Sequence, residues 1–100
     1  MRSIQLTARA ERDIDQIADY TMQRWGESQT DRYLTQLEDT FAMLAENPGA
    51  GRPAAHISPG LRRFEVGKHV IFFQKVTPGI RILRVLHQQM LPVRKHFDRG

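Results

Sequence analysis

Hydrophobic residues in the first half of the chain recur every three or four positions, which is the spacing of amphipathic helices. One such stripe spans Thr7 to Trp25 and a second spans Glu27 to Glu46. Their members are Ile14, Ile17, Ala18, Thr21 or Met22, and Trp25 in the first, and Tyr33, Leu34, Leu37, Phe41, Leu44 and Ala45 in the second. Only a few residues around Gly26 join the two segments, so we predict an antiparallel helical hairpin.

Polar residues and glycines at the ends of these stripes predict where the helices begin and end. The hydroxyl of Thr7 is suited to cap the first helix, and Gly26 is suited to end it. Ser28, with Asp31 three residues later, resembles a capping box for the second helix. The segment Asn47-Pro48-Gly49 then predicts the end of that helix.

The second half of the chain has the composition of β-strands. Residues 47–60 hold three of the five prolines and three of the seven glycines, which indicates a loop. The segments that follow are rich in Val, Ile and Phe and are separated by short turns at Gly67-Lys68 and Thr77-Pro78-Gly79. The predicted strands are Ser3–Leu6, Leu61–Val66, His69–Val76 and Ile80–His87, and one helical turn is predicted near Pro92 to His96. We therefore predict a single α+β domain over residues 1–100, in the order β-α-α-β-β-β, with a helical hairpin on one face of a small, mainly antiparallel sheet.

Both faces of the last two predicted strands are apolar. Ile71 and Phe73 oppose Val70 and Phe72 on one strand, and on the next Ile80, Ile82 and Leu86 oppose Leu83 and Val85. A four-stranded sheet is ~19 Å wide, and two helices of ~10 Å each cover only one of its faces. We expect the second face to bind a partner through Ile71, Phe73, Leu83 and Val85. The alternative is that the sheet curls and the tail fills the gap.

Charge is distributed unevenly along the chain and indicates an acidic partner. Residues 1–60 hold six basic and nine acidic residues, whereas residues 61–100 hold nine basic and two acidic residues. Neither predicted helix is basic along one face, so direct nucleic-acid binding is not predicted. The chain has no cysteine and its histidines lack metal-binding spacing, so we predict no metal and no cofactor. Without an apolar run of about 20 residues, the chain is expected to be soluble and cytoplasmic.

Several segments together resemble the RelE/ParE superfamily of bacterial toxins. They are the first helix with Ala10, Asp13, Ile17, Tyr20 and Trp25-Gly26, the Tyr33-Leu34 pair, the loop Asn47 to Arg52, and the stretches Gly60–Phe73 and Ile82–Met90. The last two stretches resemble the ParE branch in particular. The resemblance implies a type II toxin that inhibits DNA gyrase without being an enzyme and is neutralised by a ParD-like antitoxin. Ile71, Phe73, Leu83 and Val85 would then contact the antitoxin. Arg94 and Lys95 are expected to contact the target because the tail that carries them is basic and follows the last strand.

The RelE branch gives an alternative function, which is ribosome-dependent cleavage of messenger RNA. Such cleavage needs proton transfer and cations on the phosphate, for which Arg62, Arg84 and His87 are the candidates. Each also has a structural interpretation. Either arginine could pair with a helix carboxylate such as Asp13 or Glu38, and His87 could be a hydrogen-bonded structural residue. Trp25 is interpreted as a core residue rather than a binding residue.

Overall fold

The computed structural model describes residues 3–90 and Phe97, which form two α-helices and a five-stranded mixed sheet. The elements are β1 (Ile4–Leu6), α1 (Ala8–Trp25), α2 (Glu27–Glu46), a 3-10 turn (Pro48–Ala50), β2 (Arg52–Pro53), β3 (Leu61–Val66), β4 (His69–Val76) and β5 (Gly79–His87). The strand order is β1-β5-β4-β3-β2, with β1 parallel to β5 and the other pairs antiparallel. The predicted fold class is confirmed. Within the described residues, neither helix is long and apolar enough to cross a membrane.

The predicted cap of α1 is present, but the predicted capping box of α2 is wrong. Thr7 Oγ1 accepts from the Ala10 N–H at 3.0 Å and donates to the Leu83 carbonyl at 2.8 Å, which also ties the helix start to β5. Gly26, at φ 86°, is both the C-cap residue of α1 and the N-cap residue of α2. Because α2 begins directly at Glu27, Ser28 lies inside the helix and no side chain caps its start.

Both helices pack on one face of the sheet, as the periodicity predicts. Ile17 of α1 and Leu37 of α2 are at most 7% exposed and contact the same apolar cluster. The sheet side of this cluster consists of Val66, Ile71, Phe73, Ile80, Ile82 and Val85. β1 reaches the sheet beside Gly79, where an added Cβ would lie 1.8 Å from the Ser3 carbonyl oxygen. Glycine at this position therefore allows the parallel pairing of β1 with β5.

A β-bulge in β5 changes which residues face the helices. Phe73 pairs with Ile82 and Phe72 pairs with Arg84, so Leu83 is an extra residue that interrupts the two-residue alternation. After the bulge, Val85 faces the helices while Leu86 faces the opposite side. The predicted grouping of Leu83 with Val85 on one face, and of Leu86 with Ile82 on the other, is therefore wrong.

The face opposite the helices is covered within this chain, contrary to the expectation that it is free. Its cluster contains Leu61, Val70, Phe72, Leu83 and Leu86, all at most 6% exposed. Ala54 and Ile57, from the loop before β3, pack on this cluster together with Phe97, whose ring lies 5.0 Å from that of Phe72. The partial covering of this face by the tail corresponds to the alternative interpretation above. The predicted turn near Pro92 to His96 lies outside the described residues.

The four residues expected to contact the antitoxin do not form an accessible surface. Ile71, Phe73 and Val85 lie beneath the helices, and Leu83 lies on the other face under the covering described above. Each is at most 6% exposed. Their placement on an open sheet face is therefore wrong. The helices cover the face that carries Ile71 and Phe73, the bulge turns Val85 toward that same face, and the loop before β3 covers Leu83.

Candidate functional site

An open groove of about 710 Å³ separates the second half of α1 from the end of the β4–β5 hairpin. We call it the α1–β5 groove, and its most exposed apolar side chains are Tyr20 (59%), Trp25 (65%) and Met90 (47%). Arg24 and Lys68 also line it. The interpretation of Trp25 as a core residue is wrong, because the fully buried stripe of α1 ends at Ile17 and its last turn is exposed on all sides.

The floor of the groove contains a buried ion pair between α1 and β5. Arg84 donates to Asp13 through Nε at 2.8 Å and through Nη2 at 2.9 Å, and the backbone N–H of Val85 donates to the same carboxylate at 3.0 Å. The side chains of Arg84 and Asp13 are only 16% and 8% exposed. Hydrogen bonding to Asp13 raises the pKa of Arg84, so the guanidinium stays protonated. The structural interpretation of Arg84, pairing with Asp13, is confirmed.

A tyrosine and two histidines form a second cluster beside this ion pair. Tyr33 Oη lies 2.6 Å from Nδ1 of His69 and 3.1 Å from the Val66 carbonyl, and the rings of His69 and His87 are 5.5 Å apart. Burial raises the pKa of Tyr33. Burial, followed by repulsion from His87, lowers the pKa of His69, and the charge of Asp13 partly offsets this.

The turn between β3 and β4 fits closely against this cluster. Gly67 has φ 55°, and a Cβ there would lie 2.7 Å from Cε1 of Tyr33. The ring therefore rests against a turn that only glycine accommodates without strain. At the open end of the cluster, His87 Nδ1 accepts a hydrogen bond from the Gln89 N–H at 3.1 Å, which agrees with its structural interpretation.

The three nuclease candidates are not assembled into one site. Arg84 and His87 line the α1–β5 groove, but Arg62 does not. Arg62 donates from Nε to the Pro48 carbonyl at 3.2 Å and from Nη2 to the Gly51 carbonyl, so it holds the loop after α2. The predicted target-binding residues Arg94 and Lys95 lie outside the described residues.

The Tyr33–His69 contact was not predicted from the sequence. Asp13 was named as one possible partner of an arginine, but its burial was not predicted. A signal for Asp13 exists, because it lies three residues after Ala10 and four before Ile17, both of which are buried on the same side of α1. A carboxylate at such a position needs a cation or N–H partner. No comparable signal links Tyr33 to His69, which are 36 residues apart.

Comparison with known proteins gives consistent matches along most of the chain. The family described as "ParE toxin of type II toxin-antitoxin system, parDE" matches residues 4–92. Toxin ParE1 of Caulobacter vibrioides is 42% identical over 90% of this chain and 93% of its own length. Toxin ParE1 of Mycobacterium tuberculosis is 37% identical over 85% of this chain and 88% of its own.

A more distant relative and a solved structure extend the comparison. Toxin ParE of Escherichia coli is 32% identical over 94% of this chain and 92% of its own. The solved structure titled "Chromosomal ParDE TA system from P. aeruginosa" superposes with a TM-score of 0.72, at 22% identity, over 87% of this chain and 96% of the matched chain. At this identity the superposition supports the fold.

Proposed function

We propose that this chain, which belongs to the ParE toxin family of type II toxin–antitoxin systems, inhibits DNA gyrase by binding to it. We further propose that a ParD-like antitoxin neutralises it. Gyrase as the target follows from the resemblance of the sequence to the ParE branch, and an antitoxin partner follows from the type II description of the matched family. In this proposal no side chain performs acid–base chemistry.

One observation supports a function by binding rather than catalysis: both candidate arginines already form hydrogen bonds to other groups of this chain. Phosphodiester cleavage needs cations directed at the phosphate where charge develops. Arg84 is directed at Asp13 and Arg62 at backbone carbonyls. These contacts favour binding over cleavage.

Substitution of His87 with glutamine tests this function in cells. Glutamine keeps a polar side chain of similar reach but cannot carry a proton at neutral pH. We expect H87Q to arrest growth as strongly as the parent when expressed alone. The matched control is H56Q, since His56 is exposed in the loop before β3.

A nuclease that relies on His87 would behave differently. Loss of a general acid or base lowers the rate by about 10²- to 10⁴-fold. If H87Q, folded as judged by circular dichroism, loses growth arrest while H56Q retains it, the proposed function is contradicted and the messenger RNA cleavage of the RelE branch takes its place.

A further inference from the structure

We infer that His87 acts as a pH-dependent latch: its neutral side chain holds residues 88–90 against the end of β5, and its protonation releases them. Gln89 and Met90 line the α1–β5 groove, so the latch controls the position of one of its walls. The inference goes beyond the proposed function, because it concerns a movement within this chain and needs no partner.

Three hydrogen bonds fix the segment that follows β5. The Gln88 N–H donates to the Lys68 carbonyl at 2.8 Å, and the Met90 N–H donates to the His87 carbonyl at 2.9 Å. Between them, the Gln89 N–H donates to Nδ1 of the His87 side chain at 3.1 Å. Backbone carbonyls remain acceptors at every physiological pH, whereas an imidazole takes up a proton near neutrality. Of the three bonds, the one from Gln89 is therefore the one that depends on pH.

The bond from Gln89 determines which nitrogen of His87 carries the proton. A neutral imidazole has one N–H and one unprotonated nitrogen, and only the unprotonated nitrogen accepts a hydrogen bond. Because Nδ1 accepts from Gln89, the neutral ring carries its proton on Nε2. A second proton must then go to Nδ1, where it would face the Gln89 N–H. Rotation of the ring restores no acceptor, because both nitrogens of an imidazolium are donors.

The neighbouring His69 limits how many protons this corner of the sheet can hold. His69 lies directly opposite His87 in the β4–β5 pairing, and their rings are 5.5 Å apart. The Tyr33 hydroxyl donates to the Val66 carbonyl at 3.1 Å, so its oxygen accepts from Nδ1–H of His69 at 2.6 Å. Burial and repulsion from His87 lower the pKa of His69, so the buried ring resists charging. The pair therefore holds one added proton more readily than two.

Charged and titratable groups from every element around the two rings influence the response to acid. They are Asp13 and Arg24 on α1, Tyr33 on α2, Lys68 in the β3–β4 turn and Arg84 on β5. Asp13 is the one carboxylate among the described residues that line the groove, and it is already bonded to Arg84. A proton added to His87 therefore meets no free carboxylate and adds to a positive environment. This repulsion favours movement of residues 88–90 toward water.

Nuclear magnetic resonance of the isolated chain, labelled with nitrogen-15, tests both the geometry and its consequence. At about pH 8, the imidazole signals should show His87 as the Nε2–H form and His69 as the Nδ1–H form. Between about pH 8 and about pH 5.5, protection of the Gln89 amide from hydrogen exchange, corrected for the intrinsic rate, should fall by about 2- to 10-fold. This is the equilibrium effect of one hydrogen bond. The amide of Ile71, in the core, should stay protected.

Two substitutions of His87 separate the hydrogen bond from the charge. Asparagine places its amide oxygen where Nδ1 lies, whereas the longer glutamine places its amide near Nε2, and neither side chain titrates. We expect H87N to keep the high-pH protection of Gln89 at both pH values, and H87Q to show the low-pH protection at both. The matched control is H56Q, in the exposed loop before β3, which should behave like the parent.

Three results would overturn the latch. The first is His87 in the Nδ1–H form at about pH 8, and the second is a parent chain in which the protection of Gln89 does not change with pH. The third is an H87N variant in which the protection of Gln89 follows pH as in the parent, because the titrating group would then lie elsewhere. If circular dichroism shows that H87Q does not fold, the comparison of H87N with the parent decides.

Discussion

Replacing Asp13 with alanine removes the carboxylate that connects α1 to β5 in the core. Three hydrogen bonds end on this group, two from Arg84 and one from the Val85 N–H, at 2.8 to 3.0 Å. D13A would remove the counter-charge that Arg84 has in the parent chain. The side chain of Arg84 is only 16% exposed, so water cannot fully replace the lost partner.

The expected cost is large relative to the stability of a domain of this size. Removing one partner of a buried ion pair costs about 3–5 kcal/mol, whereas small domains unfold with a total of about 5–15 kcal/mol. Replacing both partners with apolar residues of similar volume, as in D13L with R84M, should restore much of this loss, since no uncompensated charge remains. The Val85 N–H would still lack its acceptor, so recovery should be incomplete.

Urea denaturation followed by far-ultraviolet circular dichroism measures these effects. The parent, D13A, R84A and the double variant D13A/R84A form a double-mutant cycle, and D13L/R84M is measured beside them. We expect the loss in the double variant to be smaller than the sum of the two single losses by more than about 1 kcal/mol. Additive losses within about 0.5 kcal/mol would refute the argument that the pair acts as a unit.

Three further substitutions test other parts of the fold. G79A should destabilise the chain by about 1–3 kcal/mol in urea, because its Cβ would overlap the Ser3 carbonyl, whereas the control G49A, with its nearest contact at 3.7 Å, should change little. The pKa of His69 is lowered in the folded state, so the unfolded chain binds a proton at this residue more readily. Stability should therefore fall as the pH drops below about 6.5, the ordinary pKa of histidine. An H69Q variant whose urea midpoint declines in the same way would contradict this. L37D should fail to fold cooperatively, since Leu37 is 1% exposed and a buried unpaired charge costs several kcal/mol; a variant that melts like the parent would disprove the helix register.

The helices and the order of elements along the chain, apart from the two-residue strand Arg52–Pro53, could be predicted because their signals are local. The spacing of three and four residues placed Leu37 and Phe41 in the core, and Thr7 carried its own capping signal. Glycine and proline at the turns bounded the last strands within one residue of their observed ends. These features depend on neighbours only a few positions away, so a single sequence is sufficient to find them.

The exposed apolar surface could not be predicted because it depends on contacts between distant segments. The bulge at Leu83 shifts every later side chain of β5 to the other face, and no local composition marks it. The covering of the second face depends on how the segments that carry Ile57 and Phe97 fold back onto the sheet, which no local pattern indicates. The exposure of Trp25 likewise depends on where the core ends beneath α1. As a result, the apolar surface was assigned to the sheet instead of to the α1–β5 groove.

Gyrase and ribosome assays on the purified chain test the central claim, that this toxin acts by binding gyrase rather than by cutting RNA. In the first assay, gyrase supercoils relaxed plasmid DNA at increasing concentrations of the toxin. In a parallel assay, ribosomes translate a defined messenger RNA in the presence of the same toxin. We predict loss of supercoiling or trapped double-strand breaks, with the messenger intact. A cut messenger with normal supercoiling would contradict the account and would direct attention to Arg62, Arg84 and His87.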